Sequence, residues 1–189
     1  MRVLLRAPLL TTSGYGVHSR QIFEALESIP GIDLEVECLN WGKTPWLLNQ
    51  ETNEGLIGRI MSLSKKITPP YDLSIQVQLP DEWNVELAKK NIGVSAFVET
   101  DRCNSSWLSA CNKMDAIVVP SNFTKNVVKR SGVVTTSLHV IPEWFNQYIV
   151  NDDLSIDDKI DLKTENNFLV LGQLGAINAD DDRKNIFKT

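Results

Sequence analysis

Residues Arg2 to Cys38 contain the clearest secondary-structure signals of the chain, in the sequence RVLLRAPLLTTSGYGVHSRQIFEALESIPGIDLEVEC. An apolar trio predicts a strand over Arg2 to Arg6, and a loop rich in Thr, Ser and Gly follows it. Apolar residues at near-helical spacing predict a helix over Val17 to Ile29, which a Pro-Gly pair ends. Alternation of apolar and acidic residues over Asp33 to Cys38 predicts a second strand. The stretch is therefore a βαβ unit, whose right-handed crossover makes the strands parallel.

Signals for strands and helices continue along the chain as far as Pro142. The later predicted elements are a helix over 54–66, strands over 72–78, 93–98, 115–119 and 138–141, and a helix from Ser121 to Arg130 that Gly132 ends. Strands with near-continuous apolar runs, separated by crossover-length segments, are typical of a doubly wound sheet. We therefore expect an α/β, Rossmann-like parallel sheet flanked by helices.

A change of composition indicates a domain boundary. The segment 151–167 is polar and rich in aspartate, and an apolar run over Phe168 to Gly172 then restarts a strand. We expect a Rossmann-like N-terminal lobe over 1–148, a linker over 149–166, and the first strand and helix start of a second lobe over 167–189. Because one strand and part of a helix cannot bury their own apolar faces, the sequence is expected to be a piece of a longer protein.

Composition excludes several classes of function. The 189 residues are 42% hydrophobic, which suffices for a buried core, and 19 basic residues against 24 acidic ones argue against a broad nucleic-acid or anionic membrane surface. The apolar runs are short and no signal-peptide core is visible, so we expect a cytoplasmic protein without stable membrane insertion. The three cysteines contain no C-x-x-C pair, which favours reduced thiols and no metal site, and no cofactor is expected.

The first candidate site is the glycine loop between the first strand and the first helix. Gly14 and Gly16 would let the backbone approach a ligand, and the following helix start would present free N–H groups to an anion. Tyr15 and His18 join the glycines as candidate substrate-binding residues. Ser19 stands where the dinucleotide fingerprint has its third glycine, so that motif is absent. A tight turn needed only for packing is the alternative reading.

The second candidate site follows the strand predicted over 93–98. That strand would deliver Glu99 and Asp101 to the same sheet edge, where carboxylates bind sugar hydroxyls or act as general bases. The alternative is that Glu99 caps the next helix or pairs with Arg102. Ser121, after a later strand, is a further candidate for substrate binding, although capping of its helix is a sufficient structural reason for it.

Two further segments carry a family resemblance. Together with the glycine loop, the run VVPSNFTKNVVKRSGV over 118–133 and the run HVIPEWFN over 139–146 resemble the N-terminal lobe and hinge of retaining GT-B glycosyltransferases of family 4. The three pieces occur in the order usual for that family. Trp144 stands where the family has a glycine, so the turn after Pro142 must differ.

The resemblance implies a nucleotide-sugar-dependent enzyme that transfers a hexose with retention to a glycan, lipid, protein or nucleic-acid acceptor. It places Gly14 and Gly16 opposite the donor phosphates and makes Glu99 the candidate catalytic residue near the acceptor and the transferred sugar. Arg183 and Lys184 would neutralise the leaving diphosphate, as fixed cations should, unless they are only exposed charges at a helix start. The family commonly works without a metal.

The same resemblance limits what this chain is expected to do alone. The donor-lobe carboxylates of the family, in an E-x7-E motif, would lie beyond Thr189, so most of the nucleotide site and the C-terminal lobe should be missing. Two other functions stay open. One is a binding or scaffolding module with the same fold. The other is a nucleotide-cofactor oxidoreductase or epimerase, which the missing third glycine and the lack of an acidic residue ending the second strand disfavour.

Overall fold

A computed structural model describes residues 1–98, 100–145 and 164–166. The chain divides into two compact units, Met1–Phe145 and Asn146–Thr189, and the fold described below is that of the first unit. The predicted start of a second lobe over 167–189, and the predicted linker apart from its last three residues, lie outside the described residues.

Strands and helices alternate along most of the first unit. Its elements are β1 (Arg2–Ala7), α1 (Gly14–Glu27), β2 (Asp33–Cys38), α2 (Leu56–Leu63), β3 (Tyr71–Val77), a short 3₁₀ helix (Pro80–Glu82), β4 (Ala88–Val94), α3 (Ser105–Cys111), β5 (Ala116–Val119), α4 (Asn122–Ser131) and β6 (Ser137–Val140).

The six strands form one parallel sheet in the order β2-β1-β3-β4-β5-β6. Strand β1 lies inside it, with Leu5 opposite Val36 of β2 on one side and Ile75 of β3 on the other. The predicted fold class, an α/β Rossmann-like parallel sheet flanked by helices, is confirmed. The strand order reverses between β1 and β3, and in open α/β sheets ligands bind outside the carboxyl ends of the strands at such a reversal.

Helices cover both faces of the sheet. Helices α1 and α2 pack on one face, where Phe23 and Ile60 join Val3 and Leu5 in a buried core. Helices α3 and α4 pack on the other face around Ile117, in a core completed by Leu108, Val119 and Val128. Successive residues of a strand point to opposite faces, and Ile117 and Val118 accordingly contact different cores.

The crossover from β3 to β4, residues 78–87, contains no α-helix and is held by a buried amide. The Gln76 side chain is fully buried, and its Nε2 donates to Ser74 Oγ at 3.0 Å and to the Asn84 carbonyl at 2.7 Å. Its Oε1 accepts from the Asn84 N–H at 2.8 Å. Every hydrogen-bonding group of this amide is thus paired, as a buried polar group requires.

The start of β4 and the presence of α3 differ from the sequence-based expectations. Strand β4 begins at Ala88 rather than at the predicted Gly93. The sequence pattern missed the first part of the strand because that part carries exposed lysines instead of an apolar run. Lys89 and Lys90 pair with Asp72 and Asp115, each at 2.7 Å. Helix α3 was not predicted from the sequence, since its seven residues are too few for a helical period to be visible.

Candidate functional site

The carboxyl ends of β1 and β3 and the start of α1 define the candidate site. Helix α1 begins at Gly14, so Gly14 to Gly16 form its first turn. The sequence had indicated a loop over these residues and a helix that begins at Val17. The helix is capped by Ser13, whose Oγ accepts from the Gly16 N–H at 3.0 Å. In a first turn the earliest backbone N–H groups have no partner within the helix, and their dipoles favour an anion.

The two glycines of this turn have different surroundings. Gly14 is exposed, and a β-carbon there would meet nothing within 4 Å. Gly16 is buried, and a β-carbon there would collide with the Thr11 carbonyl and lie 2.7 Å from Thr11 Oγ1. Gly16 is thus required for close packing against the chain's own backbone, which is the alternative reading of the loop. Gly14 is the glycine that faces open space.

A buried arginine fixes the segment between β1 and α1. Arg20 is 7% exposed, and its Nη1 donates to the carbonyls of Leu9 at 2.7 Å and Thr11 at 2.9 Å. This role could not be predicted from the sequence, because an arginine in a helix is ordinarily a surface residue. Arg20 Nη1 therefore ties α1 to the backbone between β1 and α1.

Tyr15 connects α1 to the segment after β4. Its ring stacks on Trp41 at a centroid distance of 3.9 Å. Its Oη lies 3.0 Å from Ser95 Oγ and accepts from the Ala96 N–H at 3.0 Å. Burial raises the pKa of the Tyr15 hydroxyl, so it is un-ionised at neutral pH. The hydroxyl of this predicted substrate-binding residue is already paired within the chain.

The segment after β4 does not continue as a strand. Phe97 is 7% exposed and has a φ of 57°, in the left-handed region that a residue with a β-carbon rarely adopts. Its ring makes edge-to-face contacts with Trp83 and Trp107, at centroid distances of 6.3 and 6.1 Å. The Phe97 N–H donates to Ser95 Oγ at 3.2 Å. The chain therefore turns away from the sheet directly after Ser95.

This turn shortens the strand predicted over 93–98, which was expected to deliver the two acidic residues. Strand β4 ends at Val94, so Asp101 lies in the following loop and is exposed, and it is not delivered to the sheet edge by a strand. Glu99, the predicted catalytic residue, lies outside the described residues. Strand β5 ends just before Ser121, whose Oγ accepts from the Thr124 N–H at 3.1 Å and so caps α4, as the alternative reading held. A substrate contact of Ser121 stays a prediction.

His18 lies on α1 beside a segment that the sequence did not connect with the site. Its Nδ1 is 3.4 Å from Glu143 Oε1, and the His18 side chain is 13% exposed. Burial lowers the pKa of His18, and the Glu143 carboxylate partly opposes that effect. One turn further along α1, Gln21 Nε2 donates to the Trp144 carbonyl at 2.6 Å, and Gln21 Oε1 accepts from the Trp144 N–H at 3.3 Å.

Sequence reasoning missed Gln21, Glu143 and Trp144 as neighbours of the site. The HVIPEWFN run drew attention to Trp144 only as a departure from a family pattern. Residues more than a hundred positions apart meet here because the segment after β6 crosses to α1, and no local periodicity predicts such a contact.

The described residues contain no further grouping of the candidate residues. Arg183 and Lys184, the predicted diphosphate-binding pair, lie outside the described residues. Within the described residues no group of His, Cys, Asp or Glu could hold a metal ion. None of the helices in the described ranges is long and apolar enough to cross a membrane. A cavity of about 250 Å³ beside α3 contains none of the candidate residues, and its lining is Pro80, Asp81, Trp83, Asn84, Val85, Glu86, Ala110 and Lys113.

The chain matches no protein-family model, no curated protein and no solved structure.

Proposed function

We propose that the protein is a nucleotide-sugar-dependent glycosyltransferase that transfers a hexose with retention, and that residues 1–145 form its acceptor-side lobe. The observation that carries this proposal is the position of the first turn of α1 at the carboxyl end of β1, beside the reversal of strand order. Gly14 is exposed there with open space before it. A diphosphate is the kind of ligand that such a turn favours.

The proposed reaction has three requirements. The bond between the sugar C1 and the donor phosphate oxygen breaks, a bond from C1 to an acceptor hydroxyl oxygen forms, and the hydroxyl proton leaves with the nucleoside diphosphate. The amide of Gly14 would face the donor phosphates, and Arg183 and Lys184 would neutralise the charge that develops on the leaving group. Glu99 would lie near the acceptor hydroxyl and the transferred sugar.

The described residues favour this proposal over a dinucleotide-dependent oxidoreductase or epimerase. Ser19, at the third-glycine position of the fingerprint, is fully buried, and its Oγ donates to the Tyr15 carbonyl at 2.6 Å. Strand β2 ends at Cys38. The preceding acid, Glu37, is paired with Arg6 at 2.7 Å, whereas the dinucleotide fold has an acidic residue for the ribose at the end of this strand. A binding module without chemistry is the alternative that the experiments below separate from the enzyme.

The first experiment titrates the 189-residue chain with UDP-glucose, UDP-galactose and GDP-mannose in a calorimeter. Because most donor contacts are expected in a second lobe, we expect dissociation constants of about a millimolar or weaker and no sugar transfer. Micromolar donor affinity of this chain would contradict the proposed division of the site.

The second experiment determines whether the reading frame continues beyond Thr189 and assays the extended product for release of nucleoside diphosphate. We expect a second lobe with an E-x7-E motif and turnover that is lost on replacing both Arg183 and Lys184 with alanine. A stop codon after Thr189, or an extended protein that is inactive with all nucleotide sugars, would contradict the enzyme and favour the binding module.

A further inference from the structure

The loop after β2, residues 41–47, is attached to the region around the start of α1. Just before the helix, the Thr12 N–H donates to the Pro45 carbonyl at 3.0 Å. Four residues ahead of Pro45 lies Trp41, which is half-buried and stacks on Tyr15 at a centroid distance of 3.9 Å, with 19° between the ring planes. The loop is therefore bonded to the backbone before α1 and stacked on a side chain of its first turn.

The other end of the Tyr15 side chain contacts the segment after β4. The Ala96 N–H donates to Tyr15 Oη at 3.0 Å, and Ser95 Oγ lies 3.0 Å from the same oxygen. Ser95 Oγ in turn accepts from the Phe97 N–H at 3.2 Å. One side chain thus contacts the loop after β2 through its ring and the segment after β4 through its hydroxyl.

The segment after β4 needs these bonds to keep its shape. Phe97 has a φ of 57°, in the left-handed region, which is unfavourable for a residue with a β-carbon. Such a conformation persists only where the surrounding contacts hold it. Ring contacts hold the Phe97 side chain, whereas Tyr15 and Ser95 hold the two backbone amides directly before its α-carbon.

The Tyr15 side chain is suited to transmit a displacement from one segment to the other. Its ring is rigid, so a change in the tilt of the ring moves the hydroxyl oxygen. A hydrogen bond weakens steeply when its donor and acceptor lose their alignment. Because Trp41 covers one face of the ring at stacking distance, it limits that tilt. Removal of the Trp41 ring should therefore weaken the bond from the Ala96 N–H.

We propose that Trp41 is a positioning residue, which acts through Tyr15 to hold residues 95–97 in place. We call the contacts from Trp41 through Tyr15 to Ala96 the relay. The relay does not depend on which ligand the site binds. In the proposed glycosyltransferase it would orient the chain just before Glu99, the candidate catalytic residue, and this extension alone rests on the proposed function.

The test measures amide hydrogen exchange by NMR in the 189-residue chain and its variants. Trp41→Leu removes the stacked ring, and we expect the Ala96 amide to exchange about tenfold faster or more, because its acceptor is no longer held. The Ser95 amide is the internal reference, since it donates to the Val118 carbonyl of β5 at 3.1 Å and not to Tyr15. Its exchange rate should change by less than about twofold.

Three further variants separate the relay from a general effect of the substitution. Trp41→Phe restores an aromatic ring and should return the Ala96 exchange rate to within about threefold of that in the unaltered chain. Trp46→Leu is the matched control, because it removes a 38% exposed tryptophan of the same loop, and it should leave that rate unchanged. In Tyr15→Phe, which already lacks the acceptor, Trp41→Leu should add no further acceleration.

The relay is also tested from its other end, because an equilibrium coupling is reciprocal. Ser95→Ala is a small change that removes a partner of Tyr15 Oη. We expect it to shift the indole N–H signal of Trp41 and to leave that of Trp46 in place. This measurement decides the proposal if Trp41→Leu does not fold.

Equal acceleration of the Ala96 and Ser95 amides in Trp41→Leu would overturn the relay, since it would indicate a general loss of stability. An unchanged Ala96 rate, or a Trp41 indole signal that does not respond to Ser95→Ala, would overturn it as well. None of these measurements involves a nucleotide sugar, so failure of the relay is distinguishable from failure of the proposed enzyme. A confirmed relay in a protein that transfers no sugar would support the positioning role and remove only its extension to Glu99.

Discussion

The carbonyl oxygen of Thr11 occupies the space that a β-carbon on Gly16 would need. Gly16 lies in the first turn of α1, and the Thr11 carbonyl accepts a hydrogen bond from Arg20 of the same helix, so neither can shift without disturbing those bonds. The backbone at Gly16 thus approaches another part of the same chain.

Gly16→Ala should therefore destabilise the fold. The added methyl cannot be relieved by a flexible side chain, so we expect a loss of about 2 kcal/mol or more in the free energy of unfolding. Gly14→Ala is the matched control and should change stability by less than about 1 kcal/mol. Urea unfolding followed by tryptophan fluorescence measures both. Equal stability of the two variants would show that Gly16 is not tightly packed.

The hydroxyl of Tyr15 is expected to stabilise the segment after β4. Tyr15→Phe removes the bond to Ser95 Oγ and leaves the Ala96 N–H without its acceptor, so we expect a loss of about 1–3 kcal/mol. Ser95→Ala and the double variant complete a thermodynamic cycle. Additive effects of the two substitutions would mean that the hydroxyl groups do not interact.

The left-handed backbone of Phe97 predicts an inversion of the usual ranking of alanine and glycine. Phe97→Ala and Phe97→Gly both lose the contacts with Trp83 and Trp107, but only glycine adopts a φ of 57° without strain. The glycine variant should be more stable than the alanine variant by about 1 kcal/mol. Denaturation curves of the two variants measure the difference in their stability, and a more stable alanine variant would contradict the prediction.

The stability of the fold should fall below neutral pH in a manner that depends on His18. Burial lowers its pKa below the ordinary value of about 6.5, although Glu143 opposes the shift. The folded state therefore binds this proton less tightly than the unfolded chain does. The stabilisation from neutral His18 is complete above about pH 6.5 and is lost as the pH falls below that value.

Unfolding experiments at about pH 7.5, 6 and 5 check this dependence. His18→Gln should lose less stability than the unaltered chain over that interval. In an NMR titration, Glu143→Gln should lower the pKa of His18 further, because the opposing charge is removed. An unchanged His18 pKa in that variant would show that the 3.4 Å pair has no electrostatic effect.

Cys111 should be inert toward thiol reagents in the folded protein. Burial, with a smaller contribution from Cys103, raises the pKa of the Cys111 thiol to about 12, so almost no thiolate is present near pH 8. Labelling of Cys111 should therefore occur only as the protein unfolds, and mass spectrometry of a labelled digest measures it. Rapid labelling of Cys111 under native conditions would contradict the buried position of this residue.

Much of the architecture follows from local sequence. The apolar run of β1, the alternation in β2 and the Ser121 cap of α4 were read correctly to within a few residues, because each depends on periodicity or on a side chain bonding its own helix start. The extent of β4 was not, since the segment after it is bonded to Tyr15, eighty positions away, and no local pattern indicates that contact.

The parallel α/β class and the carboxyl edge of the sheet ahead of α1 follow from the sequence, since hydrophobic periodicity and crossover handedness are local or general properties of the chain. Three features follow only from the tertiary structure. Gly16 packs against the backbone while Gly14 faces open space, Arg20 bonds the backbone beside the candidate site, and Glu143 and Trp144 contact α1. These features depend on contacts between segments that are far apart in the sequence, because a buried polar group pairs with whichever partner the fold brings close to it.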